Sequence, residues 1–171
     1  MSTETNITPR HTIAVLVDNE PGVLARVVGL FSGRGYNIES LTVAEVDATL
    51  DRSRINIVTC GDDMIINQIR AQLERLVPVF NVVDLTNEGP SVERELALIK
   101  VVAHGDDRIE ALRVADIFRA RAVDSTLGSF VFEVTGDSNK VNAFIDLMRP
   151  LGLAEVSRTG VVAIARGADP M

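Results

Sequence analysis

HTIAVLVDNEPGVLARVVGLFSGRG, residues 11–35, joins a strand-like segment to a helical one through the polar junction DNEPG. Residues 11–17 are rich in β-branched side chains, which is typical of a buried strand. In residues 21–35 apolar side chains recur at the spacing of one helix face, and a glycine near the end provides a stop signal. The stretch therefore predicts a strand, a tight turn and an amphipathic helix.

The residues that follow complete a pattern of four strands and two helices. Two strand-like segments, 36–46 and 53–60, are joined by the polar hairpin turn DATLD. Residues 64–77 predict a second amphipathic helix, which Pro78 ends, and residues 79–85 predict a further strand. The order βαββαβ is that of the ferredoxin-like fold.

The same order returns in the second half of the chain. Segments with strand or helix periodicity follow one another at 96–103, 108–121, 122–126 with 129–136, 140–151 and 154–166. We therefore assign the chain to the α+β class, with two tandem ferredoxin-like βαββαβ domains. The predicted boundaries are a disordered arm 1–10, a first domain 11–86, a linker 87–94, a second domain 95–167 and a tail 168–171.

Charge and composition exclude several classes of function. The 171 residues include 17 Lys and Arg against 24 Asp and Glu, a net charge of −7, with 4% aromatic residues and no Trp. A nucleic-acid-binding surface needs clustered basic residues and aromatic platforms, so we expect no nucleic acid as a partner. The single cysteine, the polar N-terminus and the lack of a long apolar run predict a cytoplasmic protein without a signal peptide or a membrane span.

Three of the four strand-to-helix junctions share a signature, in which the chain leaves a strand through Gly and enters a helix through Asp: TCGDDMI (59–65), AHGDDRI (103–109) and VTGDSNK (134–140). An Asp in this place is a natural N-cap, because its carboxylate accepts hydrogen bonds from the first free amides of the helix. We interpret Asp62/Asp63 and Asp106/Asp107 as such caps, and a divalent cation in these turns stays an open alternative. The fourth junction, DNEPG, is built differently.

No pattern in the sequence indicates a catalytic site. His11 and His104 have no Cys or Ser partner at a recognisable spacing, and we expect both to be surface residues. Cys60, at the end of a predicted strand, is expected to be a small core residue. The sequence therefore predicts no enzyme activity, no metal site and no cofactor for this chain.

The DNEPG junction has the features of a binding site for a small carboxylate. Pro21 is predicted at the first helical position, which leaves the amides of Gly22, Val23 and Leu24 free. Because Gly22 has no side chain, a carboxylate can approach those amides closely. The carboxamide of Asn19 offers a carbonyl oxygen and an NH₂ group to a zwitterionic amino acid. A tight strand-to-helix turn without a ligand is the alternative interpretation.

The strand after the first helix favours self-association. Residues 36–46 carry apolar side chains on both alternating sets, which a single covered face does not require. A second copy paired along this strand would bring Asn37, at its start, towards the helix N-terminus of its neighbour. An Asn that only forms a turn is the alternative.

Residues 11–44 closely resemble the N-terminal ACT domain of the regulatory (small) subunit of acetohydroxyacid synthase, also called acetolactate synthase. The stretches VERELALIKV (92–101), FRARAVD (118–124) and SRTGVVAIARG (157–167) are similar to later signatures of that family, whereas residues 125–156 match loosely. The resemblance implies a non-catalytic subunit that activates a separate catalytic large subunit and confers feedback inhibition, typically by valine. It also implies that the partner, and not this chain, carries thiamine diphosphate, Mg²⁺ and usually FAD.

The resemblance further implies a homodimer through the N-terminal ACT domains, with an effector site at their interface. The positions assigned to effector binding are Asn19, Pro21, Gly22, Val23 and Leu24 from one chain, and Asn37 and Ile38 from the other, with Ala44 close by. Valine, leucine and isoleucine stay open as effectors, since one methylene changes binding by only about 1–3 kcal/mol. An assembly module without a ligand, a regulator of a different amino-acid enzyme and a small ferredoxin-like enzyme are the alternatives.

Overall fold

The chain forms two compact units in the computed structural model, which describes residues 8–171. The first unit contains the described residues up to Val92 together with Ala163–Met171, and the second contains Glu93–Val162. In each unit the apolar stripes of two α-helices pack against alternate residues of an antiparallel sheet. No helix in residues 8–171 is long and apolar enough to cross a membrane.

The first unit has the predicted βαββαβ order. Its elements are β1 (Arg10–Asp18), α1 (Val23–Gly33), β2 (Ser40–Asp47), β3 (Arg52–Cys60), α2 (Asp63–Leu73) and β4 (Val79–Asp84). The sheet order is β2-β3-β1-β4, so β2 and β4 are its edge strands. Alternate residues of the two central strands meet both helices in a core that includes Ile13, Val15, Val17, Ile55, Ile57, Val27, Phe31, Ile66 and Ile69.

The second unit repeats this topology. Its elements are β5 (Ser91–Val102), α3 (Gly105–Ile117), β6 (Arg121–Ser125), β7 (Ser129–Gly136), α4 (Ser138–Met148), a short 3₁₀ helix (Arg149–Leu151) and β8 (Leu153–Arg158), and the last strand of the chain is β9 (Val162–Ala165). The order β6-β7-β5-β8 corresponds strand for strand to that of the first unit. Three aromatic rings, those of Phe130, Phe132 and Phe144, pack in its core. The predicted fold class, two tandem ferredoxin-like domains, is confirmed.

Several element boundaries differ from the predicted ones. β1 begins at Arg10, inside the predicted arm 1–10, and residues 1–7 of that arm lie outside the described residues. β2 begins at Ser40 rather than at residue 36: the amide of Tyr36 donates back to the carbonyl of Phe31 in α1, and bonding to β3 starts only with the amide of Glu39. β5 begins at Ser91, so the second half of the predicted linker 87–94 is already strand.

The last residues of the chain, Ala163–Met171, belong to the first compact unit, and the predicted bounds 95–167 of the second domain stay a prediction. Arg54 donates a hydrogen bond from Nη2 to the carbonyl of Ala163 at 2.8 Å, and the amide of Arg166 donates to the carbonyl of Pro90 at 2.8 Å. Burial at this contact lowers the pKa of Arg54 from its ordinary value. These hydrogen bonds join residues that are far apart in sequence, which local patterns do not report.

Candidate functional site

Two helices begin with the predicted Asp cap. At the start of α2, Asp62 Oδ1 accepts a hydrogen bond from the amide of Ile65 at 2.8 Å. At the start of α4, Asp137 Oδ1 accepts one from the amide of Lys140 at 2.8 Å. A carboxylate of the chain itself therefore occupies free amides in the first turn of both helices.

The capping prediction is wrong for α3. Gly105 has a φ of 56°, a left-handed conformation that favours glycine, and the helix begins there, before the predicted cap. The N-cap is His104, whose side chain makes no capping hydrogen bond. Asp106 and Asp107 lie inside the first turn, where their charges interact favourably with the helix dipole. In residues 8–171 no group of three or more His, Cys, Asp or Glu side chains is arranged to hold a metal ion.

The start of α1 is a β-turn that precedes the helix. The amide of Val23 donates to the carbonyl of Glu20 at 3.4 Å, which closes the turn. Gly22 is the N-cap, and its φ of 89° and ψ of −8° are those of the third residue in a type II turn. Pro21 occupies the second position of that turn, so the prediction that Pro21 is the first helical residue is wrong. Because Gly22 has a positive φ, its backbone is not helical, and Pro21 before it lies outside α1.

The first turn of α1 leaves backbone donors without a side-chain acceptor. The amide of Val23 is engaged by Glu20, contrary to the prediction, and the next two amides, of Leu24 and Ala25, are too close to the N-terminus to bond within the helix. Of the four α-helices in the described part of the chain, α1 alone has neither a side-chain cap nor an acidic residue in its first turn. A Cβ built on Gly22 would meet no atom within 4 Å, so the approach to this turn is open.

Asn19 is held next to this turn by two hydrogen bonds. Its amide donates to the carbonyl of Asp51 at 2.7 Å, and its side-chain Oδ1 accepts from Ser53 Oγ at 3.0 Å. Asp51 ends the β2–β3 hairpin turn, which Asp47 orders by accepting from the hydroxyl and the amide of Thr49. The hydrogen bond from the Thr49 hydroxyl is the main cause that lowers the pKa of Asp47 below its ordinary value.

The sequence prediction missed Ser53. This residue is 4% exposed and lies on the helix-facing side of β3, in the same alternating set as Ile55 and Ile57. A hydroxyl in a buried apolar set needs a hydrogen-bond partner, and the stretch SRINIV already contained that signal. Its partner could not be read from the sequence, because Asn19 lies 34 residues away.

Apolar side chains surround the same end of β1. Arg26 of α1 donates from Nη1 to the carbonyl of Val77 at 2.7 Å, which ties the start of β4 to the helix. Leu24 is 40% exposed, Val77 77% and Phe80 51%. The guanidinium of Arg52 lies 4.3 Å from the ring centroid of Phe80. This end of the sheet thus combines backbone donors, an oriented carboxamide and exposed apolar surface.

The remaining candidate residues of the same chain lie elsewhere. The side chain of Val23 is buried in the core, and Ile38 is half-buried against it. The carbonyl of Asn37 accepts a hydrogen bond from Thr59 Oγ1 at 2.6 Å, near the end of β3 that is opposite to the Asn19 end. At about 3.3 Å per residue along β3, the two asparagines are separated by about 20 Å.

Ala44 is also distant from the junction within one chain. It lies on the edge strand β2 opposite Arg54, two strands from β1, or about 10 Å across the sheet. Because the neighbouring Val43 opposes the core residue Ile55, the side chain of Ala44 points away from the helices. A single chain therefore assembles the Asn19–Leu24 group and leaves Asn37, Ile38 and Ala44 apart from it.

Two predictions about titratable side chains are wrong. His11 is buried rather than on the surface, with Nδ1 3.0 Å from Oδ2 of the equally buried Asp84. Neither side chain is accessible to a substrate, which makes the pair structural. Cys60 is partly exposed rather than in the core, and its thiol donates to Glu39 Oε1 at 2.9 Å, which raises the pKa of Cys60. His104 is exposed, as predicted.

Comparison with known proteins covers both units. A family model described as the AHAS small subunit-like ACT domain matches residues 13–81, and one described as the small subunit of acetolactate synthase matches residues 94–167. The chain belongs to the acetolactate synthase small-subunit family. It is therefore a regulatory rather than a catalytic subunit, and its first unit is an ACT domain.

Relatives of this small subunit match it over most of its length. A probable acetolactate synthase small subunit of Archaeoglobus fulgidus is 54% identical over 158 residues, which cover 92% of this chain and 98% of the relative. The acetolactate synthase small subunit of Aquifex aeolicus is 48% identical over 92% of this chain and 81% of its own length. The crystal structure of the small subunit from Thermotoga maritima superposes with a TM-score of 0.82 at 40% identity, and covers 94% of this chain and 99% of that one.

Proposed function

We propose that this small subunit binds a branched-chain amino acid, most strongly valine, and transmits its occupancy to a catalytic large subunit of acetolactate synthase. The observation that carries the proposal is the uncapped first turn of α1 beside the carboxamide of Asn19. Without the effector, the subunit raises the activity of its catalytic partner. With the effector bound, it inhibits the same partner, which is feedback control by an end product.

Each part of the amino acid has a matching group at this junction. The α-carboxylate accepts hydrogen bonds from the amides of the first turn, where the positive end of the helix dipole favours an anion. The bare Gly22 leaves room for this approach, and Asn19 meets a polar group of the ligand. Exposed apolar side chains such as Leu24 accept the aliphatic side chain. Leucine and isoleucine fit the same description, so we expect discrimination of about 1–3 kcal/mol at most.

The proposed site is completed by a second copy of the chain. β2 is an edge strand with Val43 43% and Val46 55% exposed, and such a strand is a template for pairing. If two β2 strands pair antiparallel, the second copy runs in the opposite direction. The start of its β2, which follows Asn37, then lies beside the end of the first copy's β2, at the same end of the sheet as Asn19. Asn37 and Ile38 of that copy then contribute to the effector site, and Ala44 lies along the seam.

The proposal assigns the chemistry to the catalytic large subunit. Thiamine diphosphate, Mg²⁺ and usually FAD are expected on that partner, and this chain is expected to need no cofactor, nucleic acid or membrane. We place both subunits in the cytoplasm. Because coupling is reciprocal in free energy, an effector that inhibits through binding equilibria must bind with a different affinity when the partner is present.

A calorimetric titration of the isolated small subunit with valine, leucine and isoleucine tests the proposal. We expect valine to bind, and leucine and isoleucine to bind more weakly. An absence of heat for all three, from folded and dimeric protein, would contradict effector binding by the free subunit. The same titration in the presence of the catalytic subunit measures the coupling.

Asn19→Ala combined with Asn37→Ala separates effector binding from assembly. The altered subunit should still associate with the catalytic subunit and raise its activity, while valine should no longer inhibit it. If the double variant keeps normal feedback inhibition, the two asparagines do not bind the effector. If feedback and activation disappear together, the residues serve assembly instead.

A further inference from the structure

We propose that Ser53 is a positioning residue that turns the Nδ2 end of the Asn19 carboxamide towards the effector. Asn19 then binds the carboxylate of the amino acid and not its ammonium group. This inference rests on the proposed effector site and specifies one contact within it. Its basis is the hydrogen bond of 3.0 Å that Ser53 Oγ donates to Asn19 Oδ1.

Ser53 is well placed to fix this orientation. It pairs with Val17 of β1 on one side and with Glu45 of β2 on the other, and it is 4% exposed. A buried hydroxyl needs a hydrogen-bond partner, and here Ser53 Oγ donates to Asn19 Oδ1, which holds the carboxamide in this orientation. The amide of Asn19 donates to the carbonyl of Asp51 at 2.7 Å, which fixes the backbone of the same residue.

The orientation decides which ligand group Asn19 can bind. A carboxamide has one acceptor oxygen and two donor hydrogens. Since Oδ1 of Asn19 faces Ser53, the Nδ2 donors lie on the opposite side of the carboxamide. Donors attract a carboxylate and repel an ammonium group. Asn19 therefore adds a side-chain donor to the backbone donors of Leu24 and Ala25 in the first turn of α1.

Asn19→Asp tests the orientation with almost no change of shape. The carboxylate keeps the hydrogen bond from Ser53 on one oxygen and presents an acceptor in place of Nδ2. We expect valine to bind at least about tenfold more weakly, because two carboxylates then face each other. Valinamide, whose amide group supplies hydrogen-bond donors, should lose much less affinity on the same substitution. The ratio of valine affinity to valinamide affinity should therefore fall. If Asn19 instead accepted from the ammonium group, Asn19→Asp would strengthen the binding of both ligands.

Ser53→Ala tests whether Ser53 acts through Asn19. We expect valine affinity to fall about fivefold or more, since the freed carboxamide rotates, and Ser53→Thr, which keeps the hydroxyl, should restore most of it. In an Asn19→Ala background, Ser53→Ala should cause no further loss of valine affinity. Circular dichroism and denaturant unfolding verify that each variant is folded, and the exposed Asn19 variants keep the test valid if Ser53→Ala is unstable.

The outcomes distinguish the inference from the function on which it rests. If the unaltered protein binds none of the three amino acids, the proposed function and this inference both fail. If the unaltered protein binds valine and Asn19→Asp binds it equally well or better, the effector site stands and the assigned orientation is wrong. Additive losses in Ser53→Ala and Asn19→Ala would show that Ser53 acts independently of Asn19, which also overturns the inference.

Discussion

Gly22→Asp is the substitution that most directly tests whether a carboxylate binds at the start of α1. Gly22 is the N-cap of a helix without a side-chain cap, and a Cβ added there meets no atom within 4 Å. An aspartate can therefore extend into the open space beside the first-turn amides, where the effector's carboxylate is proposed to lie. We expect the variant to lose inhibition by valine while it still activates the catalytic subunit.

The size of the effect follows from charge repulsion. Two carboxylates about 5 Å apart repel by roughly 1–3 kcal/mol for effective dielectric constants between about 80 and 20. This corresponds to a loss of valine affinity of about 5- to 150-fold. The φ of 89° adds a separate cost, because a residue other than glycine in the left-handed region loses about 1–2 kcal/mol of folding free energy. That cost lowers stability and need not change affinity.

Gly22→Asn is the matched control, since asparagine has the shape of aspartate and tolerates the same backbone conformation without the charge. Isothermal titration with valine should give a clearly higher Kd for Gly22→Asp than for Gly22→Asn. Added salt should reduce the difference between the two Kd values, because it screens the charge repulsion. Denaturant unfolding should give similar free energies for the two variants. Equal valine affinities in both variants would refute a carboxylate at this helix start.

Three further predictions concern other hydrogen bonds of the first unit. Asp62→Ala should lower the free energy of unfolding by about 1 kcal/mol in urea, because it removes the cap of α2. Asp84→Ala should lower it by about 1–3 kcal/mol, since buried His11 loses its partner. Thr49→Val should raise the pKa of Asp47 in an NMR titration. Hydrogen bonds depress that pKa in the folded state, so their stabilisation is present above the unfolded pKa and is lost as the pH falls through the folded one.

Local chemistry explains what the sequence predicted well. The order of strands and helices follows from apolar periodicity, and the caps Asp62 and Asp137 follow from a signature only a few residues long. The Pro-Gly pair similarly indicated a special turn at DNEPG. The predicted start of α3 is wrong because the Gly-Asp signature assigns the N-cap to an Asp. The left-handed conformation of Gly105 instead lets the helix begin one residue before Asp106.

Long-range contacts explain what the sequence did not predict. The burial of His11 depends on Asp84, 73 residues away, and a polar residue next to a polar N-terminal segment has no local feature that indicates a core position. The orientation of Asn19 depends on Ser53 in the same way. The separation of Asn37 from Asn19 depends on the register of β3, which only the folded sheet defines.

The two units also explain why one fold can carry a site in one copy and not in the other. The junction after β1 and the junction after β5 occupy equivalent places in sheets of the same order. Both use a glycine with positive φ at the helix start, Gly22 in α1 and Gly105 in α3. In α3, however, Asp106 and Asp107 place two negative charges in the first turn, and these repel an incoming carboxylate. The backbone of the two turns differs, since Gly22 is the N-cap of α1 and Gly105 is the first residue of α3. The charge of the two side chains in α3 disfavours a carboxylate ligand in the second unit, which leaves the first unit as the place of the proposed effector site.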